Sequence, residues 1–573
     1  MVLISTVSVR VTAGEHIAES RRAQNARPEP VPPRCSPAIL FPPMRLRFLI
    51  FLIVSTVFAL VLAKHDVTHT GIETSRYSVV ESVLERGTFA IDDSFFTTPD
   101  KGERNGHYYG DKPPLLTFFV IGWGRVLKCF GVRFLTGDYF RAVYLTNALI
   151  FLLSCLTGWF FYVGLRRRPR MPEPYRIAMS VLSVASTLVL SYAVTLNNHT
   201  LCAAAMMGLI LLLERCEETG LTRLRAFMAG IMTGLILNLE FVTGGVMGLT
   251  VFVFVLSSIA PVSRRKENVL MYAAGAGLLI LSEAGMNMIS YGSPLPLYIS
   301  THKPTFTEKN YLIYAFHILF GFEGFFLYMP ALLFAGFACA SERMRRDRVF
   351  VTMMASTAAA VVLFAVGTSD FGGWCYGDRF LIPFAPVLLY YAAIYFGRPR
   401  SRLKRWEFFR LALLWGVVFS VVGVMNPWNA SYEGSLTKKG GLEENFKNSF
   451  LANSFVFCWL HAPDSAITQV LMDRVYGREP AMLYLRMELA NRHDRKGVKR
   501  ITAQIVEWVN AAEAEEAMNQ ENTAVPDMPP RESAPDASGG DHSVPSQTKN
   551  APGGDQSAPR PDDPSSDSGT ARD

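Results

Sequence analysis

Residues Gly71–Pro114 read GIETSRYSVVESVLERGTFAIDDSFFTTPDKGERNGHYYGDKPP. This polar stretch lies between strongly apolar segments and gathers ionisable and aromatic side chains, among them Glu73, Arg76, Tyr77, Tyr108, Tyr109, Asp111 and Lys112. Glu73, Tyr77, Val80 and Leu84 recur at i, i+4, i+7 and i+11, which predicts a helix over Glu73–Arg86 that stops at Gly87. A helix with one such stripe, next to an apolar span, is expected to lie on a membrane surface.

The rest of the chain reads as a membrane scaffold for that stretch. Of its 573 residues, 50% are hydrophobic and 18% charged, and the mean hydropathy is +0.20. A soluble protein carries more charge and fewer long apolar runs. Runs of about twenty apolar residues recur, the length that crosses a bilayer as a helix. A β-barrel would instead show short alternating segments. The expectation is an all-α polytopic protein of the plasma (inner) membrane. About eleven spans are expected: Phe48–Ala63, Ala142–Leu165, Ile177–Val194, Cys202–Leu213, Phe227–Leu239, Gly245–Ile259, Val269–Ile289, Tyr314–Ala338, Phe350–Val366, Phe380–Phe396 and Leu411–Met425. Leu115–Phe130, interrupted by Arg125 and Lys128, reads as a half-buried or re-entrant helix.

The net charge of +7 is not a nucleic-acid signature. Basic residues cluster in short loops, at Arg166–Arg170, Arg264-Arg265-Lys266, Arg343–Arg348 and Arg398–Arg405, where they mark cytoplasmic turns. Arg45 and Arg47 put the N-terminus on the same side, so the loop 64–114 and the C-terminus face outside. Residues 1–43 read as a disordered extension or an over-long start before Met44, 426–519 as a small helical outer region, and 520–573 as a disordered tail. The eight cysteines form no CxxC pair, and no metal site is expected. Cys155, Cys202 and Cys339 lie in apolar spans as small hydrophobes, while a disulfide between Cys375 and Cys458 is open.

A carboxylate and a cation facing a bilayer suit transfer from a lipid-linked phosphate. The cation stabilises charge growing on the leaving phosphate, and the carboxylate takes a proton from the acceptor hydroxyl. Each candidate also has a plainer reading. Glu73 can serve only the dipole of a helix first turn. His199, in the outer turn TLNNHT, can be merely solvated, and Asp92-Asp93 a solvated turn rather than a metal motif. Glu240 and Glu283 are charges at span ends or in apolar sequence, which are either functional or reach to the interface. Asp370, Trp374, Asp378 and Arg379 share one outer loop, where the Trp is an interface anchor or a sugar platform.

Glu73, Arg76-Tyr77, Gly87, Tyr108-Tyr109 and Asp111-Lys112-Pro113-Pro114 together resemble the first outer loop of the GT-C glycosyltransferases, the group of the lipid A aminoarabinose transferase and the protein O-mannosyltransferases. Tyr291-Gly292-Ser293-Pro294, and Gly377-Asp378-Arg379 with Pro383 and Pro386, are weaker echoes. The resemblance covers about Met44–Met425. It implies a polyprenyl-phosphate sugar donor and an extracytoplasmic lipid, glycan or protein acceptor. Glu73 would be the acceptor-activating carboxylate, with Asp111 and Asp66 in reserve, and Lys112 and Arg379 would hold the donor phosphate. Arg76, Tyr77, Tyr109, His199, Glu240 and Trp374 complete the implied substrate site. No cofactor is implied. Thr74-Ser75 separate Glu73 from Arg76, and Asn197-Asn198 stand where the family has a second acid. Two rival readings are a transporter or flippase of a lipid-linked glycan, with Glu240 and Glu283 as coupling sites, and a non-catalytic lipid-sugar-binding protein. Transporters usually contain two related halves, and no internal repeat is visible.

Overall fold

The computed structural model describes residues 43–428, except 66, 68–69, 136–138, 259–261, 298–310, 322–323, 369–374 and 398–402, together with residue 454. The leading extension, nearly all of the outer region, the tail, and Asp66, Asp370, Trp374 and Cys458 therefore lie outside the described residues.

The chain opens with α1 (Met44–Leu62) and continues, through the first loop, into α2 (Gly71–Glu81). A π-helical turn, Ser82–Arg86, extends α2 to Gly87, whose φ of 74° closes it. A hairpin follows, β1 (Lys101–Arg104) against β2 (His107–Gly110), and then α3 (Pro114–Cys129). The helical body comprises α4 (Tyr139–Arg166), α5 (Glu173–Ala185), α6 (Leu188–Ala193), α7 (His199–Thr219), α8 (Arg223–Leu239), α9 (Phe241–Leu256) and α10 (Val262–Tyr291). Beyond it come α11 (Tyr311–Phe320), short helical turns through Cys339, α12 (Arg348–Gly367), α13 (Ala385–Phe396) and α14 (Leu403–Met425).

Among the described residues, seven helices are long and apolar enough to cross a membrane: Met44–Leu62, Tyr139–Arg166, His199–Thr219, Ser263–Tyr291, Tyr311–Tyr328, Arg348–Gly367 and Arg405–Met425. Phe241–Leu256, Pro330–Cys339 and Ile382–Phe396 are shorter apolar helices. The difference from the expected eleven has local causes. The apolar run Ile177–Val194 is broken at Ser186-Thr187, where the Thr187 hydroxyl donates to the Ser183 carbonyl at 2.8 Å and the backbone leaves helical geometry. The expected Gly245–Ile259 and Phe380–Phe396 appear as the shorter apolar helices Phe241–Leu256 and Ile382–Phe396, while Tyr314–Ala338, interrupted at Pro330, keeps its place among the seven as Tyr311–Tyr328. The 17 residues of α8 begin with Arg223 and Arg225, which shorten its apolar part.

Helices α8 and α10 cross backbone to backbone. A Cβ on Gly230 would meet the Tyr272 carbonyl at 2.1 Å, and one on Gly275 would meet the Phe227 carbonyl at 2.2 Å, so only glycine permits this approach. Ion pairs collect where basic turns were expected, with Arg168–Glu214 at 2.7 Å, Arg176–Glu173 at 2.9 Å, Arg223–Glu267 at 2.7 Å and Arg348–Glu217 at 3.3 Å. The loop 64–114 packs over the opposite helix ends.

Two expectations for that loop are corrected. Its helix is not a surface helix with one buried stripe, because Ile72 through Glu81 are all buried. It is covered by α3, by the hairpin and by the Val194–Asn198 turn. Gly110 in β2 brings the hairpin so close that a Cβ there would touch Ser75 and Val79. Nor is the chain all-α, since the loop contains a two-stranded antiparallel sheet with Gly102 opposite Tyr109 and Arg104 opposite His107. Asn105 and Gly106, at φ 53° and 78°, form the tight turn whose left-handed backbone this dipeptide favours.

Candidate functional site at one end of the bundle

Burial of α2 decides what its polar side chains can reach. Glu73, in the first turn, is wholly enclosed, and one carboxylate oxygen accepts the Leu196 N–H at 3.0 Å. Arg76, one turn on, is 1% exposed. Its guanidinium donates to the Ile72 carbonyl at 3.1 Å and to Asn198 Oδ1 at 3.0 Å, while Nε has no hydrogen-bond partner. Burial pushes Arg76 down to about 10, against the opposing pull of Glu240, Asp111 and Asp100. Arg379 lies close enough to lower it further.

The turn before α7 supplies the next layer. Asn198 Nδ2 donates to the Leu239 carbonyl at 2.8 Å and to the Glu240 carboxylate. That carboxylate also lies 2.7 Å from His199 Nδ1. Glu240 is the single residue joining α8 to α9, with φ −142° and ψ 101°, so the sharp turn between helices aims it at the turn. Arg76, Asn198, Glu240 and His199 thus form one buried polar chain across three elements. Asn198 bridges a cation and an anion. Asn197, one residue before the N-cap Asn198, accepts the Thr200 N–H of the first turn of α7 at 3.0 Å through its Oδ1.

On its other side, Arg76 faces a cavity of about 390 Å³, open mouth included, walled also by Tyr109, Lys112, Phe118, Asn287 and Tyr291. Tyr109 projects from β2 and meets the Tyr291 ring at 6.0 Å, and the Arg104 guanidinium lies 6.0 Å from that same ring. Asn287 and Tyr291, at i and i+4, present one face of α10. Lys112 is fixed just ahead of α3, which starts Pro113-Pro114 with proline in its first turn. Lys112 Nζ lies 2.8 Å from Asp100 and 3.3 Å from Asp111, whose side chain is 1% exposed.

Arg379 stands where the last helix ends. Its guanidinium lies 5.6 Å from the Trp428 ring and 5.4 Å from Phe380, and its buried Nε has no hydrogen-bond partner. Trp428 donates to Thr195 Oγ1 at 3.1 Å and packs edge-on against Tyr192. Asp378 accepts the Phe380 N–H at 3.0 Å.

Glu73, Arg76, Asp111, Lys112, His199, Glu240 and Arg379 therefore meet at one end of the bundle, and Tyr109 joins them at the cavity. Tyr77 faces elsewhere. It is packed between Phe96 and Phe134 and donates to Asn147 at 3.1 Å, a core position whose burial raises its hydroxyl well above 10. Glu283 lies on α10 two turns below Tyr291, outside the cavity walls. Asp92 and His107 contact each other beside the hairpin at 3.2 Å. Sequence reasoning missed Asp100, Asn198, Asn287 and Trp428. Only Trp428, in an Asn-Pro-Trp just past the last span, carried a usable sign.

No protein-family model matches the chain, and no curated protein matches it. Among solved structures it is similar to ArnT from Cupriavidus metallidurans bound to undecaprenyl phosphate, with 13% identity and a TM-score of 0.45 over 85% of this chain and 82% of that one. It is also similar to the archaeal oligosaccharyltransferase AglB from Archaeoglobus fulgidus in complex with an inhibitory peptide and a dolichol-phosphate, with 13% identity and a TM-score of 0.41 over 76% and 61%.

Proposed function

We propose that this protein is an integral-membrane glycosyltransferase that moves a sugar from a polyprenyl phosphate to a hydroxyl-bearing acceptor on the outer side of the membrane. The observation that carries the reading is the position of Arg76. It is buried, and it faces a cavity shared with Lys112 on one side and a network containing Glu240 and His199 on the other. Cations and carboxylates at the mouth of an apolar bundle suit a substrate with an anionic head and an apolar tail.

In the reaction, the acceptor oxygen attacks the anomeric carbon and forms a new C–O bond. The bond from that carbon to the phosphate oxygen breaks, and its electron pair leaves with the polyprenyl phosphate. The acceptor proton passes to a carboxylate, a role we assign to Glu73, which lies one helical turn before the cavity-lining Arg76 and is not itself a cavity wall. Lys112, Arg76 and Arg379 stabilise the charge that grows on phosphate. Tyr109 and Tyr291 offer the flat aromatic walls against which a sugar ring packs.

The test is a turnover assay on the full chain in lipid, with a panel of radiolabelled polyprenyl-phosphate sugars and a membrane-glycan extract. Glu73→Gln is expected to lower kcat by about 10²–10⁴, and Lys112→Ala to abolish transfer. Full activity in both variants would overturn the reading. Loss with Lys112→Ala alone would transfer the proton-accepting role to Asp111.

A further inference from the structure

Two carboxylates flank Lys112, and they are not equivalent. The Asp111 side chain is 1% exposed, whereas that of Asp100 is 25% exposed, so Asp100 is the more solvent-accessible of the two partners of the ammonium group. It is also the nearer, at 2.8 Å against 3.3 Å. Its position is built in. Thr98 Oγ1 accepts the Asp100 N–H at 3.1 Å and donates to the Gly71 carbonyl at 3.3 Å, tying the loop to the start of α2. A Cβ on residue 71 would lie 2.4 Å from Asp100 Cγ and 2.5 and 2.6 Å from its two oxygens. The carboxylate thus rests in space that exists only because residue 71 has no side chain.

The transfer proposed above changes the charge that Lys112 must hold. The donor is a phosphodiester with one negative charge. The leaving group is a phosphate monoester, which at neutral pH carries most of a second, since its second proton leaves near pH ~6. A lone ammonium attracts the doubly charged product more strongly than the donor. Such a site would retain its product.

We propose that Asp100 is the residue that sets product release, by competing with phosphate for Lys112. Its carboxylate repels the doubly charged monoester more than the singly charged diester, and returns to Lys112 as the product leaves. This rests on the polyprenyl-phosphate reading of the cavity. Asp100 is a positioning residue, acting on phosphate through Lys112.

The experiment uses the full chain in nanodiscs and two probes, farnesyl monophosphate and its methyl diester, with affinity and dissociation rate measured for each. Asp100→Asn is expected to tighten the monoester about fivefold, the scale of a partly exposed ion pair. It should tighten the diester less and slow release of the monoester. Gly71→Ala, which pushes the carboxylate off Lys112 while leaving it in the chain, should act in the same direction. The double variant with Lys112→Ala should show neither effect. Unchanged or weaker monoester binding in Asp100→Asn, or equal tightening of both probes, would overturn the inference while leaving the donor reading intact. Failure of the wild-type protein to bind either probe would overturn the donor reading, and this inference with it.

Discussion

A single buried guanidinium joins the polar network at the site's end of the bundle. Arg76 donates to the Ile72 carbonyl and to Asn198, and it faces the field of Glu240, Asp111 and Asp100. Removing one partner of a buried charge network leaves the others uncompensated, which costs more than the network contributes when complete. Arg76→Ala is therefore expected to destabilise the protein by about 3 kcal/mol, read from denaturant or thermal unfolding in detergent. Arg76→Lys, which keeps the charge but cannot reach Ile72 and Asn198 together, should fall between. A wild-type unfolding curve for the alanine variant would show that the network is not structural. Glu73, Arg76, Asp111 and Lys112 were legible as chemistry because they fall within one stretch of sequence. Asn198 and Asp100 were not. Nothing in an Asn-Asn pair or in a Thr-Pro-Asp loop says which cation it will meet.

The hairpin carries Tyr109 to the cavity, and its stability has a pH signature of its own. Asp92 Oδ1 accepts the Tyr108 N–H at 3.1 Å, and Oδ2 faces His107. Slight burial pushes Asp92 up, but these two contacts outweigh it and hold the carboxyl below its usual 3.8. A carboxyl lowered in the fold adds stability above its unfolded pKa, and that stability is lost as pH falls through the folded value. The Tyr108 amide should thus be protected from hydrogen exchange at pH above 3.8 and lose protection below it, with Asp92→Asn abolishing the dependence. Protection that is flat across that range would exclude Asp92 as the clamp. The hairpin was not read from the sequence, although Asn105-Gly106 is a pair that tolerates the left-handed backbone a two-residue turn needs. The helix next to it was readable from its period. That period placed one stripe inward but could not show that α2 is buried on every side, because burial depends on what other segments bring to it.

Among the described residues, the ion pairs Arg168–Glu214, Arg223–Glu267 and Arg348–Glu217 gather at one end of the helical body and the candidate site at the other. The distribution of Arg and Lys predicts that the arginine end is cytoplasmic. In a background stripped of native cysteines, Cys introduced at Asn105, in the hairpin turn, should react with an impermeant maleimide from outside in intact cells. Cys at Arg346, between the last short helix and α12, should react only after permeabilisation. Labelling of both from one side, or in the reverse order, would overturn this orientation and place the proposed chemistry on the wrong face of the membrane.

By itself, the sequence determined that the chain is helical and apolar enough for a bilayer. It also determined where most helices run, which loop holds the ionisable residues, and that the helix of that loop stops at Gly87. These are local properties, set by hydropathy, periodicity and backbone sterics within a few residues. The tertiary structure alone decided that Arg76 reaches Asn198 on the α7 turn, that Glu240 pairs with His199, that Arg379 sits over Trp428, and that Asp100 is the nearer and more exposed of the two acids beside Lys112. It also decided that Tyr77 belongs to the core. The reason is physical. A side chain buried at 1% exposure must satisfy its charge with whatever the packing delivers, and those partners come from helix ends far apart in the chain.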